Sequence, residues 1–184
     1  MSAAELESLL LVDKVVVRAL NIVKLHGPAG AYVAAGFIRN LVWDLRYGRA
    51  PDYSDADIDV VYFDTTDPCR ESESRFENAL THMMPGYDWQ VRNQARMHVA
   101  VGDEPYADVA DALSHWPETA TAVAVRLNGK DGLEILAPFG LHDLMRHVLR
   151  PTPAITARDL HIFTARVQQK GWLTRWPHLA VANA

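Results

Sequence analysis

Three aspartates alternate along one short segment, and their types and spacing give them the clearest capacity for chemistry. Asp55, Asp57 and Asp59 are separated by single residues, and a β-branched and aromatic run ends the segment at Phe63. Alternate side chains of a β-strand share a face, so a regular strand directs the three carboxylates to one side. Carboxylates this close repel one another unless water or a cation screens them. The spacing points either to a cation site or to an acidic strand end in solvent.

Magnesium is a cation that fits such a group of carboxylates. It prefers hard oxygen ligands, and it commonly binds one or two carboxylates together with the phosphates of a substrate. Paired carboxylates can also hold two ions about 4 Å apart, the arrangement used for in-line phosphoryl or nucleotidyl transfer. The motif is therefore compatible with a Mg²⁺ or Mn²⁺ site formed by two or three of these aspartates.

A phosphate-binding turn is predicted upstream of the aspartates. The apolar run 31–35 is a short strand that ends at Gly36, and helical spacing follows with Arg39 and Asn40 off the apolar face. A glycine at a strand-to-helix turn lets backbone N–H groups approach a ligand, and a helix N-terminus favours an anion. From about one turn into the helix, Arg39 can reach a phosphate or pair with one of the aspartates.

Further polar residues follow on the next predicted strand. The segment 88–101 has the pattern of one strand or a hairpin, in which Arg92, Arg96 and His98 share the parity of one face. In the functional interpretation, Arg96 and His98 contact a phosphate or the acceptor. The alternative is an exposed strand face with no ligand.

The surrounding pattern predicts a mixed α+β domain with helices packed on a sheet. One domain over 1–184 is expected, with a core over about 28–137 and a C-terminal helical extension over about 138–184. The segment 128–132 favours a hairpin turn. Helices are predicted over 5–26, 37–47, 71–84, 108–115, 141–149 and 156–170, and further strands over 58–63, 119–127 and 133–137.

Composition limits the class of protein. The 184 residues are 49% hydrophobic with a formal net charge of −5, which is typical of a globular domain and excludes a generally basic protein that coats nucleic acid. The single cysteine excludes an intrachain disulfide within this sequence. No apolar run approaches the roughly 18 residues of a membrane span, and the first residues are acidic where a signal peptide is basic. We therefore expect a cytoplasmic protein with no membrane partner.

Charge is unevenly distributed along the chain. The segment 51–67 has six aspartates and no lysine or arginine, whereas 139–184 has six Lys/Arg and two Asp/Glu. The distribution indicates a local metal and phosphate site, in which arginines and the basic C-terminal segment are candidate phosphate contacts.

The segment from Ala31 to Asp64 resembles the head of the polymerase-beta-type nucleotidyltransferase superfamily. It is most similar to the opening of tRNA CCA-adding enzymes and poly(A) polymerases, in which a Gly-Gly turn, an Arg-Asp pair on a helix and an Asp-x-Asp strand follow in that order. Over almost its whole length the chain also resembles a bacterial family of small nucleotidyltransferase-like proteins. That similarity is carried by 36–44, 57–64, 92–98, 116–127 and 137–151.

The resemblance implies a function and roles for individual residues. Gly36 would lie under a nucleoside triphosphate, and Asp57 and Asp59 would hold two magnesium ions. The implied activity moves a nucleoside monophosphate from the triphosphate to an acceptor hydroxyl and releases pyrophosphate. The acceptor (small molecule, RNA or protein), the preferred base and the oligomeric state stay open.

The sequence departs from the superfamily in two places. The turn reads Ala35-Gly36-Phe37, so it lacks the second glycine or the serine near the phosphates. Active members often carry a third carboxylate on a later strand, for which Asp88 and Glu134 are the candidates here, and either can instead be a surface residue. One alternative is therefore a catalytically impaired nucleotide-binding or regulatory module. Another is a toxin-like transferase that acts on RNA or protein.

Overall fold

A five-stranded mixed sheet organises the chain. The computed structural model describes residues 2–54, 57–129 and 132–182. The strands of the sheet are β1 (Tyr32–Ala34), β2 (Asp57–Tyr62), β3 (Asp88–Asn93), β4 (Ala124–Leu127) and β5 (Leu133–Leu136). Along the sheet the order is β3-β2-β1-β4-β5; β2 and β3 are parallel, and the other neighbours are antiparallel. The architecture is the predicted α+β arrangement.

Four helices supply buried residues to the main core on one face of the sheet. They are α1 (Ala3–Val12), α2 (Lys14–His26), α3 (Ala35–Arg46) and α4 (Arg70–Met83). Strand side chains of one parity, including Ile58 and Val60, are fully buried in this core. The opposite parity of β2 carries Asp57, Asp59 and Val61, so burial of the apolar side chains fixes the direction of the acids.

The opposite face of the sheet is covered only in part. A 3₁₀ turn (Gln94–Arg96), α5 (Met97–Val101) and α6 (Val109–Ser114) follow β3. Val109 and Leu113 of α6 pack against Tyr32, Val61 and Ala124 in a second, smaller core. Asp57 and Asp59 lie on this face, toward the start of β2, beyond the apolar cover.

The C-terminal segment packs back onto the main core. Leu149, Phe163, Trp172 and Trp176 are all buried in it. The elements of this segment are α7 (His142–Met145), β6 (Val148–Leu149), α8 (Pro153–Arg158), α9 (Leu160–Gln169), α10 (Trp172–Arg175) and β7 (Ala180–Val181). The two-residue strands β6 and β7 pair in parallel.

Capping side chains divide two helices that the sequence predicts as continuous. The predicted helix 5–26 is interrupted at Asp13, whose carboxylate accepts the N–H groups of Val15 and Val16 at 2.8 and 3.0 Å. The predicted helix 156–170 is interrupted in the same way at Asp159. In both cases the aspartate acts as an N-cap and starts a new helix, which periodicity alone does not reveal.

Three other predicted elements are wrong in part. Residues 94–101 form the 3₁₀ turn and α5 instead of a strand, because the Asn93 side chain accepts the N–H of Ala95 and ends β3. The predicted strand 119–127 is reduced to β4, because the chain around Thr121 forms a turn. The predicted helix 141–149 ends at Met145, after which His147 has a φ of +58° and the chain enters β6.

Candidate functional site

Asp57 and Asp59 begin β2 with free carboxylates. Asp57 is exposed and Asp59 is partly buried, and neither carboxylate has a hydrogen bond or ion pair with another described residue. The two side chains share a face, as the alternation predicts. Asp55, the third aspartate of the motif, lies outside the described residues. Two unpaired carboxylates therefore open toward the same cavity.

The N-terminus of α3 lies beside these acids. Ala34 of β1 is the register partner of Asp59, and α3 begins at the next residue. The left-handed residue of the turn is Ala35, with a φ of +58°, so Gly36 belongs to the first turn of the helix. No side chain caps α3. The N–H of Ala35 donates to the carbonyl of Val123 at 3.1 Å, so the N–H groups that can receive an anion begin at Gly36.

Gly36 leaves space at the mouth of the turn. A Cβ added there would meet only the Nη2 atom of Arg39, at 3.5 Å, which is an ordinary contact. Packing within the protein therefore does not require glycine at this position. A missing side chain instead opens the cavity wall next to the helix N-terminus, as a phosphate-binding role requires.

Arg39 is a buried cation without a carboxylate partner among the described residues. It donates to Thr121 Oγ1 at 2.7 Å and to Asn40 Oδ1 at 2.9 Å, and its Nε atom is buried without a partner. The guanidinium carbon lies 4.5 Å from the ring centre of Trp172 and 5.2 Å from that of Trp43. Desolvation by burial lowers the pKa of Arg39 from 12.5 to about 10. This charge is held at the cavity wall by aromatic rings, with donor capacity unused.

Elements of the C-terminal segment share a cavity with the acids. The cavity has a volume of about 320 Å³ and is lined by Asp57 and Asp59 and, from the C-terminal segment, by Arg166, Lys170 and Trp172. Gly36, Arg39 and Asn40 line it as well. The structure therefore brings together five of the predicted site residues and adds a basic and aromatic wall.

That wall contains residues which the sequence analysis did not assign to the site. Arg166 donates to the fully buried Glu118 at 2.6 Å. Arg175 donates to the buried Asp44 at 2.6 Å. The available signal was the basic charge of the C-terminal segment, but the partners of both arginines lie far away in sequence.

Arg96 and His98 do not line this cavity. Arg96 follows β3 in the 3₁₀ turn, and its Nε donates at 2.8 Å to Glu73, a buried carboxylate of α4. His98 lies on α5, where its ring packs edge-on against Tyr106. The shared strand face predicted for these residues is therefore wrong, because the strand ends at Asn93. Arg96 instead ties the end of β3 to α4.

The two candidates for a third carboxylate have different surroundings. Asp88 is the register partner of Asp57 on the parallel strand β3, is exposed, and accepts a hydrogen bond from Gln90 at 3.1 Å. Glu134 pairs with Arg126 and accepts a hydrogen bond from Tyr32. It lies on β5, three strand spacings of about 4.8 Å from β2, too far to share an ion with Asp59.

The residues present fit a divalent cation held jointly with phosphates. No group of three or more His, Cys, Asp or Glu side chains within 2–54, 57–129 and 132–182 could hold a metal by itself. Two free carboxylates at Asp57 and Asp59 nevertheless supply the one or two ligands that magnesium usually takes beside substrate phosphates. The donor set thus suits Mg²⁺ or Mn²⁺ that arrives with a nucleotide.

Burial and charge raise the pKa of Asp59. Desolvation is the main cause and the negative charge of Asp57 the second, and together they move it from 3.8 to about 6. The positive charges of Arg39, Arg92 and Lys170 oppose this shift. Bound cations would favour the ionised carboxylate in the same way as these side chains.

Asp59 is expected to lower the stability of the metal-free protein as the pH rises from about 4 to about 6. Folded Asp59 binds its proton more tightly than unfolded Asp59, so its stabilising effect is complete below pH 4 and is lost through pH 6. A shift of two pKa units corresponds to about 3 kcal/mol, and partial exposure reduces this to about 2 kcal/mol. Urea unfolding in a chelator at each pH measures the effect. Asp59→Asn should flatten this part of the profile, and an unchanged slope would contradict the explanation.

Asp59 also lines a second cavity. Its volume is about 340 Å³, and apolar side chains dominate its lining, among them Val61, Val101, Trp116 and Ile155. It shares Asp59, and no other lining residue, with the first cavity. Asp59 therefore stands between a charged cavity and an apolar one.

Comparisons with known proteins show the family and the fold of the chain. A family profile described as a nucleotidyltransferase matches residues 21–181. The chain is 30% identical to a protein whose NMR structure is described as revealing a CCA-adding enzyme head domain. Their TM-score is 0.87, with 100% of this chain and 97% of that one covered. No curated protein sequence matches the chain.

More distant structures share the fold alone. The Thermotoga maritima CCA-adding enzyme in complex with tRNA is 18% identical, with a TM-score of 0.58 over 100% of this chain and 43% of that one. A CCA-adding enzyme in complex with ATP is also 18% identical, with a TM-score of 0.56 over 97% and 42%. The chain thus spans less than half the length of these enzymes. Within the described part of the chain, no helix has the length and apolarity needed to cross a membrane.

Proposed function

This chain belongs to the nucleotidyltransferase family, and we propose that it transfers a nucleoside monophosphate from a nucleoside triphosphate to an acceptor hydroxyl, releasing pyrophosphate. One observation carries the proposal. The carboxylates of Asp57 and Asp59 are unpaired among the described residues, and they share a cavity with the N-terminus of α3 and with the buried cation Arg39. Acids together with anion-binding groups in one cavity suit a metal-bound triphosphate.

The terminal phosphates would lie against α3. The backbone N–H groups at Gly36 and the guanidinium of Arg39 would bind them, and Asn40 would keep Arg39 oriented. The α-phosphate would then lie at Asp59, where Mg²⁺ or Mn²⁺ bound by Asp57 and Asp59 would neutralise phosphate charge. The acceptor oxygen forms a bond to the α-phosphorus as the bond to the β-phosphate oxygen breaks. Pyrophosphate leaves, and the hydroxyl proton passes to solvent.

The apolar cavity suits the nucleoside and the acceptor. In an in-line displacement the attacking hydroxyl approaches the α-phosphorus opposite the leaving pyrophosphate, and the nucleoside also extends away from it. Both would therefore extend from Asp59 toward Val61 and Trp116. The protein's contribution there is to exclude water and to orient the acceptor.

Introducing a charge into the apolar cavity should separate transfer from phosphate binding. Val101→Glu is expected to lower the transfer rate at least tenfold, because it places a carboxylate in the cavity wall. Affinity for tripolyphosphate with Mg²⁺ should stay within about twofold. The matched control is Val99→Glu on the same helix, at a side chain that is 72% exposed and outside the cavity lining. Equal rates in the two variants, measured with an α-labelled nucleotide, would contradict this placement.

Nucleotide binding and acceptor modification can be tested together. Calorimetry with each of the four nucleoside triphosphates, with and without Mg²⁺, should show metal-dependent binding to the full chain. Incubation of the protein with an α-labelled triphosphate and a fractionated cell extract, followed by mass spectrometry, should show an acceptor that gains one nucleoside monophosphate. Absence of triphosphate binding under all conditions would contradict the proposal.

A nucleotide-binding module without transferase activity is the second candidate. It is favoured by the surroundings of the third-carboxylate candidates, because Glu134 is engaged by Arg126 and Tyr32 and Asp88 is exposed to solvent. Such a module would bind a triphosphate with Mg²⁺ and release it unchanged. Pyrophosphate release should be measured with each nucleotide that binds in the calorimetry, in the presence of the fractionated cell extract. Release supports the transferase, and binding without release supports the module.

A further inference from the structure

Most cations of the charged cavity already have fixed partners. Arg166 is held by Glu118 and Arg175 by Asp44, and both of these carboxylates are buried. Lys170 also lines the cavity, and its ammonium group has no hydrogen bond or ion pair with any residue in the described ranges. All three N–H donors of its ammonium group are therefore available to a ligand.

The backbone of Lys170 is held in place although its side chain is free. Its N–H donates to the carbonyl of Arg166 at 2.9 Å, at the end of α9. Gly171 follows with a φ of +61°, which ends the helix with a left-handed residue. Next comes Trp172, which is 3% exposed and lies against the guanidinium of Arg39. The side chain thus starts from a fixed point on the wall of the cavity that Asp57 and Asp59 also line.

We propose that Lys170 binds the two phosphates that leave as pyrophosphate, and so makes the site selective for tri- over monophosphates. This inference rests on the proposed function. A triphosphate with its α-phosphate at the acids would hold its β- and γ-phosphates within the same cavity, which Lys170 also lines. Arg39 is buried and fixed, whereas a lysine is a compact charge on a flexible stem that can follow a ligand. Charge that develops on the leaving pyrophosphate would be stabilised by this ammonium group.

The alternative is an ordinary solvated lysine at a helix end. That explanation fits Lys14, which begins α2 and lines neither this cavity nor the apolar one beyond Asp59. Lys170 differs because it lines the same cavity as Asp57, Asp59 and Arg39. A role in phosphate binding is therefore specific to its position.

Tripolyphosphate is a probe that tests this role without knowledge of the preferred base. Titration of the full chain in Mg²⁺ should show that Lys170→Gln weakens tripolyphosphate binding at least tenfold. Binding of the four nucleoside monophosphates should change by less than twofold. Lys170→Arg should retain most of the affinity, and Lys14→Gln, which makes the same change in net charge, should match the wild type.

The outcomes separate this inference from the proposal beneath it. If the wild type binds tripolyphosphate and Lys170→Gln changes the affinity by less than twofold, the role of Lys170 is overturned and the proposed function is not. Equal weakening by Lys14→Gln would do the same, because it would reduce the effect to net charge. Failure of the wild-type protein to bind tripolyphosphate or any triphosphate with Mg²⁺ would overturn the proposed function as well.

Discussion

Asp59→Asn is expected to lower the rate of nucleotide transfer by about 10³-fold or more while the protein stays folded. Asparagine keeps the shape of the side chain but removes a charged metal ligand beside the proposed α-phosphate position, where metal ions supply several kcal/mol of charge stabilisation. Asp57→Asn should have a similar effect. Unfolding should show no loss of stability at pH 7.5, because the partly buried Asp59 carboxylate has no partner among the described residues.

The control for this loss is an aspartate of the same strand region that lies outside the cavity. Asp64 accepts hydrogen bonds from Thr66, which an asparagine can also accept, so Asp64→Asn should transfer at the wild-type rate. Transfer of an α-labelled nucleotide to the acceptor identified by mass spectrometry is the measurement. More than a tenth of the wild-type rate in Asp59→Asn would be incompatible with the assigned role.

Asp44→Ala is expected to cost about 3 to 5 kcal/mol of folding stability. Asp44 is 2% exposed and joins α3 to the C-terminal segment. It accepts a hydrogen bond from Trp176 Nε1 at 2.9 Å, and it forms an ion pair with Arg175 at 2.6 Å. Alanine would leave both donors without their partner, one of them on a side chain that is 1% exposed. The basic wall of the cavity would loosen, so tripolyphosphate affinity should fall too.

Urea unfolding measures this loss. Asp52→Ala is a suitable control, because Asp52 is exposed and its carboxylate accepts only from Ser54 among the described residues. It should cost less than about 1 kcal/mol. A loss in Asp44→Ala no larger than in the control would show that the C-terminal segment is held by other contacts.

The acidic pair and the turn were predictable because each depends on a few neighbouring residues. Alternation fixes the shared face of Asp57 and Asp59 once Ile58 and Val60 are buried. The strand, glycine and helix before them place Gly36 and Arg39 near a helix N-terminus whatever the rest of the fold does. The structure adds that Ala35 is the left-handed residue of the turn.

The strand that carries Arg92 could not be bounded from the pattern. Asn93 is fully buried, and its side chain accepts N–H groups from both Asp64 and Ala95. These bonds end the strand and turn the chain into α5, which separates Arg96 and His98 from the predicted face. The parity of side chains gives no sign of a bond made to a loop 29 residues earlier.

The basic wall depends on contacts across most of the chain. Arg175 reaches Asp44 over 131 positions, and Arg166 reaches Glu118 over 48. The uneven charge of the C-terminal segment indicated that phosphate contacts could come from it. Only the packing of Trp172 and Trp176 into the core shows which of its cations face the cavity.

Crystal structures of the full chain, each with Mn²⁺ and the αβ-methylene triphosphate of one of the four bases, test most directly whether Asp57 and Asp59 hold a metal ion beside a triphosphate. Anomalous scattering should locate manganese between the carboxylates of Asp57 and Asp59. The β- and γ-phosphates should lie against Gly36, Arg39 and Lys170. Manganese absent from this pair of carboxylates, or a triphosphate bound in another cavity, would contradict the account.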